Sequence, residues 1–281
     1  MDDQNNTHRI VDRLGQYANL FELFKDHVPR CPKLEVKLYR HDDDVERIWG
    51  PRFTIWGILL NDTDQYYLRL LHELDSYVAK HKSPYGEDRL RAGITSDPFA
   101  FLSELIAYDM FQSKAVVPVI EPPAEPDSRR LLDLSVRLDS RPILLEVIMP
   151  HVPADMLRKG RGFAPPDFYL SRKIAYDICH HFEFVTTPTT PTVVLVNGLY
   201  SALDPFVVSN SIGELNQLKA TSFPQEEERR AELLASRPRL FVSAVILFKS
   251  NWGSYMEINP AGPQITEKED MSLKTVFQVR S

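Results

Sequence analysis

Residues 131–150 read LLDLSVRLDSRPILLEVIMP, two apolar runs on either side of a polar turn. Residues 131–138 and 143–149 are rich in Leu, Ile and Val, and Asp139-Ser140-Arg141-Pro142 is turn chemistry, so the stretch reads as a β-hairpin. One acid interrupts each strand, Asp133 in the first and Glu146 in the second. Side chains alternate along a strand, so Leu131, Asp133, Ser135 and Arg137 share a face, as do Leu144, Glu146 and Ile148 on the partner. A loop with an even number of residues, such as Ser140-Arg141, pairs odd positions with even ones. Asp133 then faces Ile148, Glu146 faces Ser135, and both carboxylates leave the same side of the sheet as diagonal neighbours ~7–8 Å apart. Side chains converging from there can share a hard divalent cation such as magnesium, which takes oxygen ligands and keeps several waters.

The pattern resembles the PD-(D/E)XK nuclease superfamily: an acid on one strand, a turn, then acid-any-basic on the next with a proline soon after. Asp133 and Glu146-Val147-Ile148-Met149-Pro150 carry the likeness. Upstream, Ser96-Asp97-Pro98-Phe99-Ala100-Phe101-Leu102-Ser103-Glu104-Leu105 is similar to the helix that contributes a further acid in that family, with Glu104 at the matching place. Downstream, the helix-like 167–183, the strand TVVLVN at 192–197, the late strand FVSAVILF and Asn259-Pro260 extend the similarity over about residues 96–262. The resemblance implies an α/β fold, a restriction-endonuclease-like mixed central sheet flanked by helices, over 91–281, preceded by an N-terminal α+β extension over 1–90. It also implies Glu104, Asp133 and Glu146 as catalytic acids around magnesium, with the main-chain carbonyl of Val147 as a further ligand. One departure stands out: the family's lysine, two residues after the strand acid, is here Ile148, which can neither donate a proton nor stabilise charge. A relocated base would have to come from Lys173 on the next helix, or from Lys159 or Arg158 in the loop before it.

Composition sets bounds on these readings. A chain of 281 residues with 43% hydrophobic and 26% charged content can bury a proper core. Its net charge of -6 argues against nonspecific coating of nucleic acid, which needs broad basic surface, but leaves room for a local basic groove. Cys31 and Cys179 make no disulfide framework and no metal-type spacing, and MDDQNNTHR lacks the segments of a signal peptide. The apolar runs FTIWGILL and FVSAVILF fall far short of the ~20 residues that span a bilayer. A cytoplasmic protein without a membrane segment is the expectation.

Along the chain, apolar spacing predicts an amphipathic helix over 8–26, a strand at 34–39, a second strand at 53–60 and a helix over 64–81. His41-Asp42-Asp43-Asp44 reads as a solvated turn. Residues 83–95 read as a polar border, and Asp97-Pro98 as the start of a helix running to about Gln112. Residues 115–120 contain Pro118 and suit an edge strand. After Pro150 comes the most basic stretch, with Arg158, Lys159 and Arg161, then Arg172 and Lys173 where a helix takes over; arginine forks suit phosphate oxygens. That helix has Phe168, Ile174, Ile178 and Phe182 as its expected buried stripe. Cys179-His180-His181 within it is a weak metal cue, because adjacent helical residues do not face one another. QEEERRAELL reads as an exposed helix, 239–248 and 254–259 as a closing hairpin, and the tail from Thr266 as an edge strand or a free end.

Phosphate-loop, dinucleotide, HExxH and GxSxG motifs are absent from the sequence. Two functions from different classes remain: magnesium-dependent phosphodiester hydrolysis of nucleic acid, or a catalytically inactive nuclease-like scaffold that binds nucleic acid or a protein partner. A third reading makes the hairpin acids structural, paired with Arg137, Arg172 or Lys173. Arg158, Lys159, Arg161 and Arg172 are the candidate nucleic-acid contacts in either of the first two.

Overall fold

The computed structural model describes residues 3–29, 54–60, 65–124, 130–139, 141–150, 166–182, 190–199 and 203–279. The chain divides at Ile106/Ala107 into two compact units, one including Pro51–Ile106 and the other Ala107–Ser281. The expected border at residue 90 lies within a helix, Glu87–Ser96.

The described elements of the first unit are helical. α1 (Asp3–Leu14) and α2 (Ala18–Phe24) replace the single helix expected over 8–26, with the break at Gly15-Gln16-Tyr17. The run expected as a strand at 53–60 is instead α3 (Ile55–Leu60), whose Gly57 amide donates to the Thr54 hydroxyl at 3.2 Å. Ile55, Trp56, Ile58 and Leu59 are all buried, and a short apolar run buried on several sides has no period by which strand and helix can be told apart. α4 (Gln65–Tyr85) continues beyond the expected end at 81. The stretch read as a polar border at 83–95 is largely α5 (Glu87–Ser96), entered through Gly86 at a φ of 74°, which an L side chain would strain. Glu87 and Asp88 in its first turn complement the positive end of the helix dipole. α6 (Pro98–Gln112) starts as expected, with Asp97 accepting from the Ala100 amide at 3.0 Å. The strand expected at 34–39 and the turn at 41–44 lie outside the described residues.

The second unit is an α/β structure around a six-stranded mixed sheet in the order β1-β2-β3-β4-β5-β6. β1 (Val119–Ile120), β2 (Leu134–Leu138) and β3 (Arg141–Ile148) are antiparallel, β4 (Thr192–Asn197) and β5 (Val242–Phe248) continue parallel to β3, and β6 (Tyr255–Ile258) closes antiparallel. One face carries α7 (Pro166–His181), α8 (Pro205–Gln217) and α9 (Glu228–Phe241). Their core joins Leu144 and Ile148 of β3 to Leu170, Ile174 and Ile178 of α7 and to Phe182 just after it. The helix expected to be exposed, α9, buries Ala231, Leu234, Ala235 and Phe241 in that core. On the other face, Phe277 of α10 (Glu267–Phe277) meets Phe111 at 5.3 Å and Phe248 at 5.5 Å between ring centroids. This last helix is neither an edge strand nor a free tail. Thr266 and Glu269 form a reciprocal capping box, a signal present in the sequence as T-x-x-E.

The hairpin forms with even-loop parity, but Arg141 is already paired with Leu138 rather than belonging to the loop. Asp139 takes a left-handed φ of 58°, which aspartate tolerates and two-residue hairpin loops require. The register therefore shifts by two residues: Ser135 pairs with Leu144 and Leu134 with Leu145. One step further along, Asp133 comes opposite Glu146 instead of Ile148.

Candidate functional site

Within the second unit, the hairpin and α7 assemble a polar cluster. Glu146 lies on the β3 face that carries Leu144 and Ile148, so its side chain meets α7 at the edge of an apolar core. There Glu146 Oε1 lies 3.1 Å from Nε2 of His181. Asp133 Oδ2 accepts the Val147 amide at 2.7 Å, a side-chain bond that takes over where the β2–β3 ladder ends. On α7, Lys173, Asp177 and His181 follow at spacings of four and so form one stripe, with Lys173 ion-paired to Asp177. The buried stripe Ile174, Ile178 and Phe182 runs one position further on. Arg130 Nη1 approaches His180 Nε2 at 3.2 Å nearby in sequence to the hairpin.

Burial holds the His181 imidazole below its ordinary range. The carboxylates of Asp133 and Asp177 pull it back up, and Lys173 and Arg130 push it further down. The charges of Asp133, Asp177, Lys173 and Arg130 thus all act on this ring, and Glu146 is in direct contact with it. A neutral imidazole donates from Nε2 to the Glu146 carboxylate, so the acid on β3 has a hydrogen-bonding partner that is not a lysine.

The expected site residues have separate fates. Asp133, Glu146 and Lys173 contribute to this cluster. Glu104 belongs to the first unit, where it is 5% exposed and accepts from Arg89 at 2.7 Å. Burial raises its carboxyl above the ordinary range, against the lowering effect of Arg89 and of a hydrogen bond with Tyr85. The Arg172 guanidinium stands over the Phe223 ring at 5.5 Å, beside Tyr176, whose hydroxyl donates to Glu226 at 3.1 Å. Arg158, Lys159 and Arg161 lie outside the described residues. His181 entered the sequence reading only within the weak metal cue Cys179-His180-His181, and Asp177 and Arg130 were not singled out. The signal that could have found His181 and Asp177 is the 173-177-181 spacing, once α7 is known to pack on the acid-bearing strand.

A magnesium ion held by Asp133, Glu146 and the Val147 carbonyl would need both carboxylates turned to it. One oxygen of Asp133 is engaged by a backbone amide and one of Glu146 by an imidazole. Among the described residues, no three or more His, Cys, Asp or Glu side chains are grouped so as to hold a metal ion. This donor set is a poor fit to a hard divalent cation.

Ile148 is 3% exposed and sits in the apolar core on the same face as Glu146. Placing a lysine there, Ile148→Lys, is expected to cost about 2–4 kcal/mol, since its ammonium would be buried in that apolar core. Chemical denaturation measures this directly; a variant as stable as the parent would mean that position 148 opens onto water.

Compared with protein-family models, with curated proteins and with solved structures, the chain matches none. Among the described residues no helix is long and apolar enough to cross a membrane.

Proposed function

We propose that the second unit is a PD-(D/E)XK-like scaffold that binds nucleic acid without hydrolysing it. The observation that carries this reading is the environment of Glu146: the neighbouring basic position is a core isoleucine, and the acid itself is held by His181. The element order supports the family likeness, with α6, the antiparallel β1–β2–β3, α7 and then β4 parallel to β3. Cationic residues accompany the hairpin in the sequence: Arg130 precedes it and acts with Lys173 on His181, and the segment between β3 and α7 carries Arg158, Lys159 and Arg161. A net charge of -6 restricts such binding to this locality.

Metal-dependent hydrolysis with a relocated base is the second reading, and one observation favours it: the Lys173 charge acts on His181, which touches Glu146. Incubating the protein with labelled single-stranded and duplex DNA and RNA, with and without magnesium, separates the two. The scaffold reading expects salt-sensitive binding, no cleavage above buffer, and binding retained or strengthened in Asp133→Ala, which removes a negative charge. Magnesium-dependent cleavage lost in Asp133→Ala would establish the hydrolytic reading instead. Failure to bind any of these nucleic acids at low salt would turn the assignment toward a protein partner.

A further inference from the structure

We infer that the exposed rings of Phe206 and Trp252 form a stacking platform for the bases of single-stranded nucleic acid. This rests on the nucleic-acid reading of the second unit and narrows it to a strand form.

Among the described residues, Phe206 and Trp252 are the only exposed Phe, Tyr or Trp side chains, each 71% exposed. Both lie just beyond the carboxyl ends of the parallel strands, Phe206 after β4 and Trp252 after β5. In open α/β sheets, ligands bind in the crevice outside those ends. Glu146 lies near the carboxyl end of β3, so the polar cluster occupies the same margin of the sheet.

The two rings stand on neighbouring, tied-down segments. Gly198, at the exit of β4, runs so close to the β5 turn that a Cβ on it would sit 2.5 Å from the Ser250 Cβ. Ser209, three residues beyond Phe206 on α8, lies against the hydroxyl of Tyr255, three residues beyond Trp252. The Trp252 turn is pinned by its own amide donating to Ser250 Oγ at 3.2 Å and by that hydroxyl donating to the Gly253 carbonyl at 2.6 Å. Phe206 follows the α8 cap, where Asp204 accepts the Val207 amide at 2.9 Å. Rings presented on fixed backbone lose little entropy when they engage a ligand.

Base stacking accounts for this surface better than burial against another protein. The segment around Trp252 is polar, with exposed Lys249 and Asn251 on the same turn. A protein-docking patch has a contiguous apolar centre depleted of charge. Two rings with a lysine between strand end and turn instead match the combination by which single strands are held, aromatic faces for bases and cations for the backbone.

The test measures binding of fluorescein-labelled oligothymidylate of about twelve nucleotides, a length within the usual single-strand site range, and of a duplex of equal length. The full chain is compared with Trp252→Leu, Trp252→Phe and Phe206→Leu, with unfolding midpoints confirming that these surface changes leave the fold intact. Expected are preference for the single strand, affinity lower by about 10-fold in Trp252→Leu and in Phe206→Leu, and most affinity kept in Trp252→Phe, in line with the known cost of removing one stacked ring. Wild-type binding that survives both leucine variants would overturn the stacking platform and leave the nucleic-acid reading standing, and so would preference for the duplex. Absence of binding to every oligonucleotide would remove both.

Discussion

Asn259→Asp is expected to destabilise the second unit by about 3–5 kcal/mol, the scale seen when a buried charge is left facing groups that cannot pair with it. Asn259 is 1% exposed at the end of β6. Its Nδ2 donates to the carbonyls of Arg239 at 2.9 Å and Val242 at 2.8 Å, tying the α9–β5 junction to the closing hairpin. Its Oδ1 accepts from Asn216 of α8 at 3.1 Å and from the Ala261 amide at 3.2 Å. Aspartate keeps the shape but replaces the two-proton donor with an oxygen pointing at two carbonyl oxygens. The room for adjustment is small, because a Cβ at Gly262 would already stand 1.9 Å from the Val242 oxygen. Urea titration followed by circular dichroism reads the shift; a loss below about 1 kcal/mol would show that the turn can rearrange to rehydrate the acid.

Removing the carboxylate of Glu269 should cost about 2–3 kcal/mol, somewhat less than the ~3–5 typical when one partner of a fully buried pair is lost. Glu269 is 1% exposed and holds Arg141 through two bonds, Nε to Oε1 at 2.8 Å and Nη2 to Oε2 at 2.9 Å. Its Oε2 also accepts the Thr266 amide at 2.8 Å, completing the capping box. Arg141 is 37% exposed, so in Glu269→Ala its guanidinium can recover some hydration, which sets the lower figure. The hydrogen bond from Arg141 holds the Glu269 carboxyl below its ordinary value of 4.5. The folded state therefore binds fewer protons there than the unfolded chain between the lowered value and 4.5. The stabilisation is complete above that window and disappears as pH falls through it. Wild type should thus lose stability faster than Glu269→Gln on acidification below about pH 4.5; parallel curves would contradict the pairing.

The hairpin, the Asp97-Pro98 helix start and an edge strand, expected over 115–120 and formed at Val119–Ile120, were legible because each depends on local chemistry: turn residues, a cap, a proline. The register of the hairpin was not, since Asp139-Ser140 and Ser140-Arg141 are both acceptable two-residue loops and differ only in which apolar residues then meet across the sheet. α3 was missed for a related reason: a run such as IWGILL shows no period when several of its sides are buried. Asp204-Pro205 opens α8 with the same signature as Asp97-Pro98, so that helix was available to the same reasoning. At the candidate site, the acids could be picked out as intruders in apolar strands. His181 could not, because its role comes from α7 folding across β3, a contact between residues far apart in the chain.

α10 follows every described strand, yet its Glu269 and Lys268 hold Arg141 and Asp139 at the hairpin tip, and Phe277 fills the space between Phe111 and Phe248. During synthesis, the hairpin and the sheet behind it must wait for this last helix before their outer face is sealed. Until then the nascent chain presents a strand surface open to strangers, which makes the interval before α10 emerges the period when assistance from a chaperone would matter most.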